Sequence, residues 1–490
     1  MITWGISANS HDAALAVFAD EKLVFASHSE RFSRVKNDRD LCDDLVNYAR
    51  SRWGEPEKIY WYENPYLKTA RQLFAGQGWK WRDNNISKYL SRWSIKAPVH
   101  FCNHHRSHAA GGYFTSPFNN SAVLVLDAIG EFETLTIWKA EGSKLKKVYN
   151  KKFPNSVGLF YSAITQRIGL KPLEDEYILM GMAAYGDPNK FYRQMMNDFV
   201  DRYRDFSFLK NMHRGCLDWE PTLTVSDSFN IAASTQLIYE RYFEEALKLA
   251  KELTDSDNLV LMGGCALNCL GNRIIGNHFK NVWIYPDPGD AGSAIGTVLA
   301  HNPSWKDYTD WSNPYLGFDM GSTDSNEVIV DYLKENKICG LARHRAEFGP
   351  RALGNRSLLA DPRGPEIKDT VNGIKHRQEF RPFAPAILEE LLHDYFDMPS
   401  SWDNSRYMQV VATCRYPDLF PAIVHRDGTS RVQSVPPDGS PFRQLLELWY
   451  KETGCPMLLN TSLNIKGQPI VNNHTDARAF EHQYGVKVFN

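Results

Sequence analysis

The chain has 490 residues, of which 43% are hydrophobic and 13% aromatic, so it can bury the cores of two or more domains. A formal net charge of -2 excludes a globally basic surface, so any nucleic acid would have to bind a local patch. The eight cysteines include no C-x-x-C pair, and neither a signal peptide nor an apolar run of about 20 residues is found. We therefore expect a cytoplasmic protein that does not contact a membrane.

Apolar patterning predicts a mixed α/β order along the chain. Alternating residues at 1–7, 14–18 and 23–26 predict an N-terminal β-meander, and apolar runs at 122–126 and 259–262 predict buried strands that end in polar or glycine turns. Helical spacing predicts a helix over 227–253. The stretch 301–328 loses periodicity, which predicts a domain edge between residues 1–312 and 313–490.

Two histidines open a predicted helix after position 103. His104 and His108 are four residues apart, so their imidazoles can converge on one cation, although this spacing also suits a capping or surface pair. Asp127 ends a predicted buried strand, and Asp290 lies in a glycine-rich turn. Two histidines with two aspartates suit a first-row metal ion, with iron, manganese and zinc all fitting.

Glycine-rich turns and cationic loops predict binding of phosphate groups. The turns leave backbone amides open where strands end, at Gly263-Gly264 with Asn268 and at Gly292, although each could be an ordinary tight turn. Residues 343–381 hold nine Lys or Arg against five Asp or Glu, in loops broken by glycine and proline. Guanidinium forks suit phosphate oxygens, and surface salt bridging is the alternative. The residues concerned are Arg351, Arg356, Lys375, Arg377 and Arg381, with Asn460, Thr461, Ser462 and Asn464 as a further cradle.

These segments together resemble the O-carbamoyltransferases of the nodulation and antibiotic-biosynthesis type, the NodU/CmcH family. The resemblance covers nearly the whole chain. It rests on Glu30-Arg31-Phe32, 104–108, Asp127 with Gly130-Glu131, Met180-Gly181 with Tyr185-Gly186, 263–268, 347–357, 381–385 and 460–464.

The resemblance implies an α/β protein of two domains. Residues 1–312 would form an actin-like (ASKHA) domain similar to the threonylcarbamoyl transferases, which transfers the carbamoyl group to a hydroxyl. Residues 313–490 would form a YrdC-like domain that makes carbamoyl-adenylate from carbamoyl phosphate and ATP with Mg²⁺. One transition metal is implied, iron first and manganese or zinc as alternatives.

The resemblance also implies roles for particular residues. Arg351, Arg356, Lys375, Arg377 and Arg381 would hold the anions of the second domain, with Arg351 also acting in catalysis. A metal on the two histidines and two aspartates would clamp phosphate oxygens, since a carbamoyl carbon is a poor electrophile that needs charge stabilisation. Apart from the resemblance, we hypothesise that His11, Asp12 or Lys36 orients the acceptor or its proton.

The acceptor is left open by the sequence. Residues 66–98 carry seven Lys or Arg against one acid, with six Tyr, Phe or Trp between them, which suits nucleic acid or, alternatively, a lid whose aromatics pack on the core. Three functions compete: carbamoylation of a small hydroxylated metabolite or a hydroxymethylated nucleobase, free or in polymeric DNA; a threonylcarbamoyl-type tRNA-modifying reaction; and a non-enzymatic actin-like binding module. A homo-oligomer is compatible with each of them.

Overall fold

The computed structural model describes residues 1–219, 224–307, 311, 313–381 and 383–490, so position 382 of the 381–385 motif lies outside it. The chain forms two compact units, one of Met1–Ser29 with Asn37–Ser312 and one of Glu30–Lys36 with Asn313–Asn490. The short insertion of Glu30–Lys36, which includes helix α1 (Glu30–Ser33), into the second unit is a feature that the sequence-based boundary lacked.

The first sheet of the first unit contains the predicted N-terminal meander, which is confirmed. Its strands are β1 (Ile2–Ser7), β2 (Ala14–Ala19), β3 (Lys22–His28), β4 (Lys58–Trp61) and β5 (Val99–Phe101). They lie in the order β3-β2-β1-β4-β5. The meander strands are antiparallel, whereas β4 and β5 run parallel to β1.

The second sheet repeats this topology. Its region contains β6 (Asn120–Gly130), β7 (Glu133–Glu141), β8 (Lys144–Lys152), the separate ribbon β9 (Val200–Arg202) and β10 (Ser207–Phe208), and then β11 (Asn258–Met262) and β12 (Asn281–Ile284). The order is β12-β11-β6-β7-β8, with β6, β7 and β8 antiparallel and β11 and β12 parallel to β6. Both sheets thus have a three-stranded meander followed by two parallel strands, which is the duplicated arrangement of the actin-like fold.

Helices of the first unit connect and cover these sheets. They are α2 (Asp43–Trp53), α3 (Pro65–Phe74), α4 (Ile86–Leu90), α5 (His104–Thr115), α6 (Val157–Arg167), α7 (Glu176–Met182), α8 (Tyr192–Phe199), α9 (Val225–Thr254) and α10 (Ser293–His301). A capping box between Thr224 and Asp227 begins α9, which confirms the helix predicted over 227–253. Among the described residues, no helix is both long and apolar enough to cross a membrane.

The second unit is built on a six-stranded mixed sheet. The strands of the whole unit, in the main sheet and in two smaller ones, are β13 (Tyr315–Asp319), β14 (Ile338–Ala342), β15 (Arg345–Glu347), β16 (Arg356–Ala360), β17 (Ala384–Leu388), β18 (Phe396–Asp397), β19 (Val411–Cys414), β20 (Thr429–Arg431), β21 (Gln433–Val435), β22 (Met457–Ser462) and β23 (Val488–Phe489). The main sheet has the order β21-β17-β22-β16-β14-β23. Strand β13 lies inside the stretch 301–328, which the sequence suggested was without regular structure.

Besides α1, the described residues of the second unit form five α-helices: α11 (Asn326–Asn336), α12 (Glu366–Lys375), α13 (Leu392–Tyr395), α14 (Pro441–Thr453) and α15 (His474–Tyr484). Helix α14 shows why these ends form where they do. The Ser440 hydroxyl accepts a hydrogen bond from the backbone of Arg443, Pro441 occupies the first turn, and Gly454 follows the helix in the left-handed conformation. Its apolar face packs Phe442, Leu445, Leu446 and Trp449 into the core below the sheet.

Candidate functional site

The structure brings together the four side chains that the sequence predicted as metal ligands. One ligand atom from each of His104, His108, Asp127 and Asp290 lies within 4.8 Å of all the others. The Nε2 atoms of the two histidines are 3.0 Å apart, and His104 Nε2 lies 3.1 Å from Asp127 and 3.3 Å from Asp290. His108 Nε2 lies 3.4 Å from Asp290 and 3.7 Å from Asp127.

These separations fit a shared cation. Bonds of about 2.1 Å from a metal to nitrogen and oxygen place neighbouring ligand atoms about 3.0 Å apart at right angles and about 3.4 Å apart at the tetrahedral angle. The measured contacts run from 3.0 to 3.7 Å. Both histidines are fully enclosed, so two imidazole nitrogens that face each other beside two carboxylates form a pocket of donors for a cation.

The electrostatics of the cluster agree with this fit. Burial alone would raise the pKa of Asp127, but the hydrogen bond with His104 and the charges of His108 and His104 together outweigh it, and the pKa falls to about 2. Burial likewise opposes ionisation of Asp290, yet His104 and His108 hold its pKa well below the usual value. Burial opposes a charge on His104, but Asp290 and Asp127 raise its pKa well above the usual value, so the two ionised carboxylates favour a positive charge between them.

Glycines allow the backbone to bring these side chains together. A Cβ atom on Gly130 would lie 2.3 Å from the His104 ring, and one on Gly296 would lie 2.0 Å from the Ser107 carbonyl oxygen. Gly111 and Gly296 meet where α5 crosses α10, so the two helices approach closely. Gly292, predicted as a phosphate cradle, allows close packing within its own turn, since a Cβ there would lie 1.8 Å from the Asp287 carbonyl oxygen, and its backbone nitrogen donates to the Gly289 carbonyl.

Glu131 fixes the start of the histidine-bearing helix. Both of its carboxylate oxygens lie 3.3 Å from the backbone nitrogen of His104, and one also accepts from the backbone of Asn64. Asn103, at the N-cap, makes no side-chain cap of its own. Burial raises the pKa of Glu131 to about 7. Its place after Gly130 was the available signal, but the sequence did not assign it a role.

The Gly263-Gly264 turn orients a predicted ligand. The Gly264 backbone nitrogen donates to Asp127 Oδ1 at 3.2 Å, and the Gly263 nitrogen donates to the Pro288 carbonyl at 2.8 Å. The predicted nucleotide contact of Asn268 is corrected as well, because its amide group exchanges two hydrogen bonds with the Gln236 side chain and accepts a third from the Gly271 backbone. The turn thus holds Asp127 in place instead of leaving its amides open.

A second carboxylate–histidine group lies in the same unit. His28 Nδ1 is 3.0 Å from Asp12 Oδ1, and His28 Nε2 is 2.8 Å from Asp287 Oδ2. Burial would lower the pKa of His28, but the two carboxylates raise it to about 10. Asp12 was predicted from the sequence, while His28 and Asp287 were missed. His11 also lies in this turn, and its buried Nε2 atom has no hydrogen-bond partner.

Lys36 does not lie in the unit that carries His11 and Asp12. It belongs to the segment Glu30–Lys36 of the second unit, where its Nζ atom pairs with Glu30 Oε2 at 2.7 Å. The same segment is held by Arg31, which donates to the Gly349 carbonyl, and by Arg34, which donates to the carbonyls of Pro469 and Ile470. That Lys36 acts together with His11 and Asp12 stays a prediction.

Arg356 is a structural residue and not the predicted anion contact. Its side chain is fully buried, and its guanidinium donates to five main-chain carbonyls, those of Phe318, Arg343, His344, Asn355 and Asn472. A guanidinium has five N–H donors, so this network leaves none for a phosphate. Burial lowers the pKa of Arg356 to about 10.

Lys375, Arg377 and Arg381 form a cationic cluster in the second unit. Burial holds the pKa of Lys375 well below its usual value, and repulsion from Arg377 and Arg381 lowers it further. Lys375 Nζ lies 2.5 Å from the Ser462 carbonyl, 2.9 Å from the Asn464 carbonyl and 3.0 Å from Asn464 Oδ1. Lys375 thus joins α12 to the predicted 460–464 cradle. The oxygens that it contacts are neutral, so they do not balance the charge of its ammonium group.

The remaining members of the predicted anion set differ in exposure. Asn460 is buried and donates to the Ala352 carbonyl and to Gln433, so its amide nitrogen is already used. Thr461 and Ser462 are half-buried at the end of β22. Arg351 is half-buried in the loop before β16, where Glu347 accepts hydrogen bonds from three backbone nitrogens, those of Leu353, Asn355 and Arg356.

Residues 66–98 divide into two kinds of surface. Tyr89 and Trp93 are buried, and Lys68 is paired with Glu63, so this part packs as the lid interpretation expected. Tyr66, Phe74 and Trp79 are exposed by 61%, 70% and 69%. If this segment binds nucleic acid, the binding surface consists of these exposed rings and the exposed cations around them.

Comparison with known proteins matches both halves of the chain to one description. Residues 61–299 match the model "Carbamoyltransferase N-terminus", and residues 330–489 match "Carbamoyltransferase C-terminus". An uncharacterized protein of Synechocystis is 33% identical over 96% of this chain and 93% of its own length. The nodulation protein NolNO of Sinorhizobium fredii is 29% identical over 95% and 76%. The 3'-hydroxymethylcephem-O-carbamoyltransferase of Amycolatopsis lactamdurans is 27% identical over 97% and 95%.

Proposed function

Because the chain belongs to the carbamoyltransferase family, we propose that it is an ATP-dependent O-carbamoyltransferase whose transfer step takes place at the cluster of His104, His108, Asp127 and Asp290. The observation that carries the proposal is the convergence of these four ligand atoms within 4.8 Å. A relative of similar length is named for the carbamoylation of a hydroxymethyl group, which supports a hydroxyl acceptor.

The second unit would prepare the carbamoyl group. In the proposed reaction, water releases carbamate and phosphate from carbamoyl phosphate, and a carbamate oxygen attacks the α-phosphorus of ATP, supplied with Mg²⁺, to release pyrophosphate. The product is carbamoyl-adenylate. The cluster of Lys375, Arg377 and Arg381 would bind the transferred anions, because an anion there restores the favoured charged state of the buried Lys375. Arg351 would join them from its half-buried loop. The YrdC-like identity of this unit is part of the same proposal.

The first unit would carry out the transfer. A divalent metal ion on His104, His108, Asp127 and Asp290, with iron favoured over manganese and zinc, would supply Lewis-acid stabilisation of phosphate oxygens. The partly exposed carboxylate of Asp12 would accept the proton of the acceptor hydroxyl, with His11 beside it in the same turn. The hydroxyl oxygen then bonds to the carbamoyl carbon, and AMP departs with the electron pair of the broken bond.

Pyrophosphate release tests the first step. We expect release only when ATP and carbamoyl phosphate are both present, and its loss in Arg351→Ala and Lys375→Met. Arg415→Ala is the matched control, because Arg415 lies in the same unit but forms an exposed ion pair with Asp397. Release that is independent of carbamoyl phosphate would refute adenylate formation.

Mass analysis of acceptors tests the second step. Labelled carbamoyl phosphate, ATP and a panel of hydroxylated acceptors should yield one acceptor that gains a carbamoyl group, and His108→Ala should abolish this gain. The panel includes small metabolites, hydroxymethylated nucleosides, hydroxymethylated DNA and tRNA. Wild-type transfer in His108→Ala would refute the metal-assisted step.

The panel also separates acceptor classes. Modification of the DNA, together with binding that weakens steeply as salt rises, would support the exposed surface around Trp79 as a nucleic-acid site.

A further inference from the structure

His28 joins two turns of the transfer site. It ends β3 with its side chain almost fully enclosed, and each ring nitrogen faces a different carboxylate, Asp12 at 3.0 Å and Asp287 at 2.8 Å. A protonated ring donates to Asp12 through Nδ1 and forms an ion pair with Asp287 at its Nε2 side. The Asp12 side chain is 24% exposed and that of Asp287 is 4% exposed, so only the Asp12 end can meet a substrate.

On the Asp287 side, His28 is connected to the predicted metal ligands through contacts between turns. Asp287 lies three residues before Asp290, and its carbonyl packs directly against the α-carbon of Gly292, where a Cβ would lie at 1.8 Å. The next residue, Pro288, accepts a hydrogen bond from Gly263, and the neighbouring Gly264 donates to Asp127. The Asp287 carboxylate that His28 contacts therefore lies in the turn that carries Asp290. The same turn is hydrogen-bonded to the Gly263-Gly264 turn, which contacts Asp127.

On the other side, His28 contacts the turn of Asp12, the residue proposed to meet the acceptor. Asp12 has a positive φ of 54°, which places it in the left-handed region within a tight turn. This turn is held by the Ala13 nitrogen, which donates to the Asp38 carbonyl, and by the Ser29 nitrogen, which donates to the Ala13 carbonyl. Because Ser29 directly follows His28, the imidazole and the turn that it contacts are anchored to the same strand end.

We propose that His28 is a positioning residue of the transfer site, which sets the acceptor-side carboxylate of Asp12 and the turn of Asp290 in fixed relation by contacting Asp12 and Asp287 together. This inference rests on the proposed carbamoyl transfer. It predicts that one substitution changes two properties, metal affinity through Asp287 and acceptor turnover through Asp12. A residue that served only the fold would lower the amount of folded protein without changing either property of the folded fraction.

The test uses full-length His28→Gln protein freed of metal, titrated with Co²⁺ and followed by visible absorption. We expect the dissociation constant for Co²⁺ to rise by about 10- to 100-fold, as substitutions behind metal ligands typically cause. In steady-state assays, kcat should fall more than the KM for ATP changes. Asp287→Asn should reproduce the metal effect, and Asp12→Asn should lower kcat while Co²⁺ affinity stays within about threefold of wild type.

His278→Gln is the matched control. His278 Nε2 pairs with Glu244 Oε1 at 2.8 Å in the same unit but precedes β12, whereas Asp287 follows that strand, and we expect wild-type metal affinity and kcat. Wild-type Co²⁺ affinity and kcat in folded His28→Gln would overturn the inference; if that variant does not fold, wild-type Co²⁺ affinity in Asp287→Asn would do so. Failure of the wild-type protein to bind Co²⁺ or to transfer a carbamoyl group would instead refute the proposed function.

Discussion

Substitution of Gly130 by alanine should damage the metal site with little change to the fold. A Cβ at this position would lie 2.3 Å from His104 Cδ2, 2.5 Å from Cγ and 2.9 Å from Cβ. Carbon atoms in contact are normally about 3.5–4.0 Å apart, so the ring has to withdraw by about 1 Å. Metal–ligand distances tolerate only about 0.2 Å, and His104 Nε2 would therefore leave the ligand set.

For Gly130→Ala we expect a large loss of metal affinity and a moderate loss in the free energy of unfolding. We expect Co²⁺ affinity to fall by at least about 100-fold, since the ligand itself is displaced, which corresponds to about 2.7 kcal/mol. Overpacking of this kind costs about 1–3 kcal/mol of unfolding free energy. Co²⁺ titration followed by absorption measures the first quantity, and urea denaturation of the metal-free protein measures the second.

Gly289→Ala is the control for this experiment. Gly289 precedes the predicted ligand Asp290, but a Cβ there would meet only Asp287 Oδ1 at 4.0 Å, and its φ of -78° suits alanine. We expect its metal affinity to match that of the wild type. Equal affinity in Gly130→Ala and wild type would show that His104 is not a ligand, or that its ring is free to move, and would refute the steric argument.

Three further predictions concern buried cations. Arg356→Met should lower the free energy of unfolding by at least about 3 kcal/mol in urea denaturation, because it removes a donor to five main-chain carbonyls, three of them in buried hydrogen bonds; a loss below about 1 kcal/mol would contradict the structural role. Lys375→Met should lose pyrophosphate release and lower the free energy of unfolding by about 1–3 kcal/mol, because it removes the donor to the Ser462 and Asn464 carbonyls; retained release would contradict its role as an anion ligand. The raised pKa of His28, from 6.5 to about 10, means that its contribution to stability is fully present below pH 6.5 and is lost as pH rises towards 10, by at most about 5 kcal/mol. Urea denaturation from pH 6 to 10 should show a steeper decline for wild type than for His28→Gln, and parallel curves would contradict it.

Local pattern was sufficient for the secondary structure around the site. The alternation of the N-terminal meander and the helical spacing of 227–253 each depend on neighbours in the sequence, and the structure confirms both. The start of α5 at His104 likewise follows the predicted helix. The four predicted ligands converge in the structure, because the helix that follows the first sheet and the strand ends of the second sheet meet there. That they bind a metal ion stays a prediction.

Roles that depend on distant partners could not be predicted in this way. An arginine in a glycine-rich loop looks the same in sequence whether its donors meet a phosphate or, as for Arg356, main-chain carbonyls from five different positions. His28 has no motif around it, and its two partners lie 16 and 259 residues away along the chain. The membership of Glu30–Lys36 in the second unit is similar, because a four-residue helix carries no pattern that identifies its partner.

The duplicated sheets explain why the proposed metal site needs the whole first unit. His104 and His108 follow β5, the last strand of the first sheet, whereas Asp127 lies in β6 and Asp290 follows β12, both of the second sheet. Each half therefore supplies two of the four ligands, and neither half alone holds a site with enough ligands for tight binding. A metal ion that binds all four must favour the packed arrangement of α5 against α10, so metal binding and folding of this unit are linked equilibria.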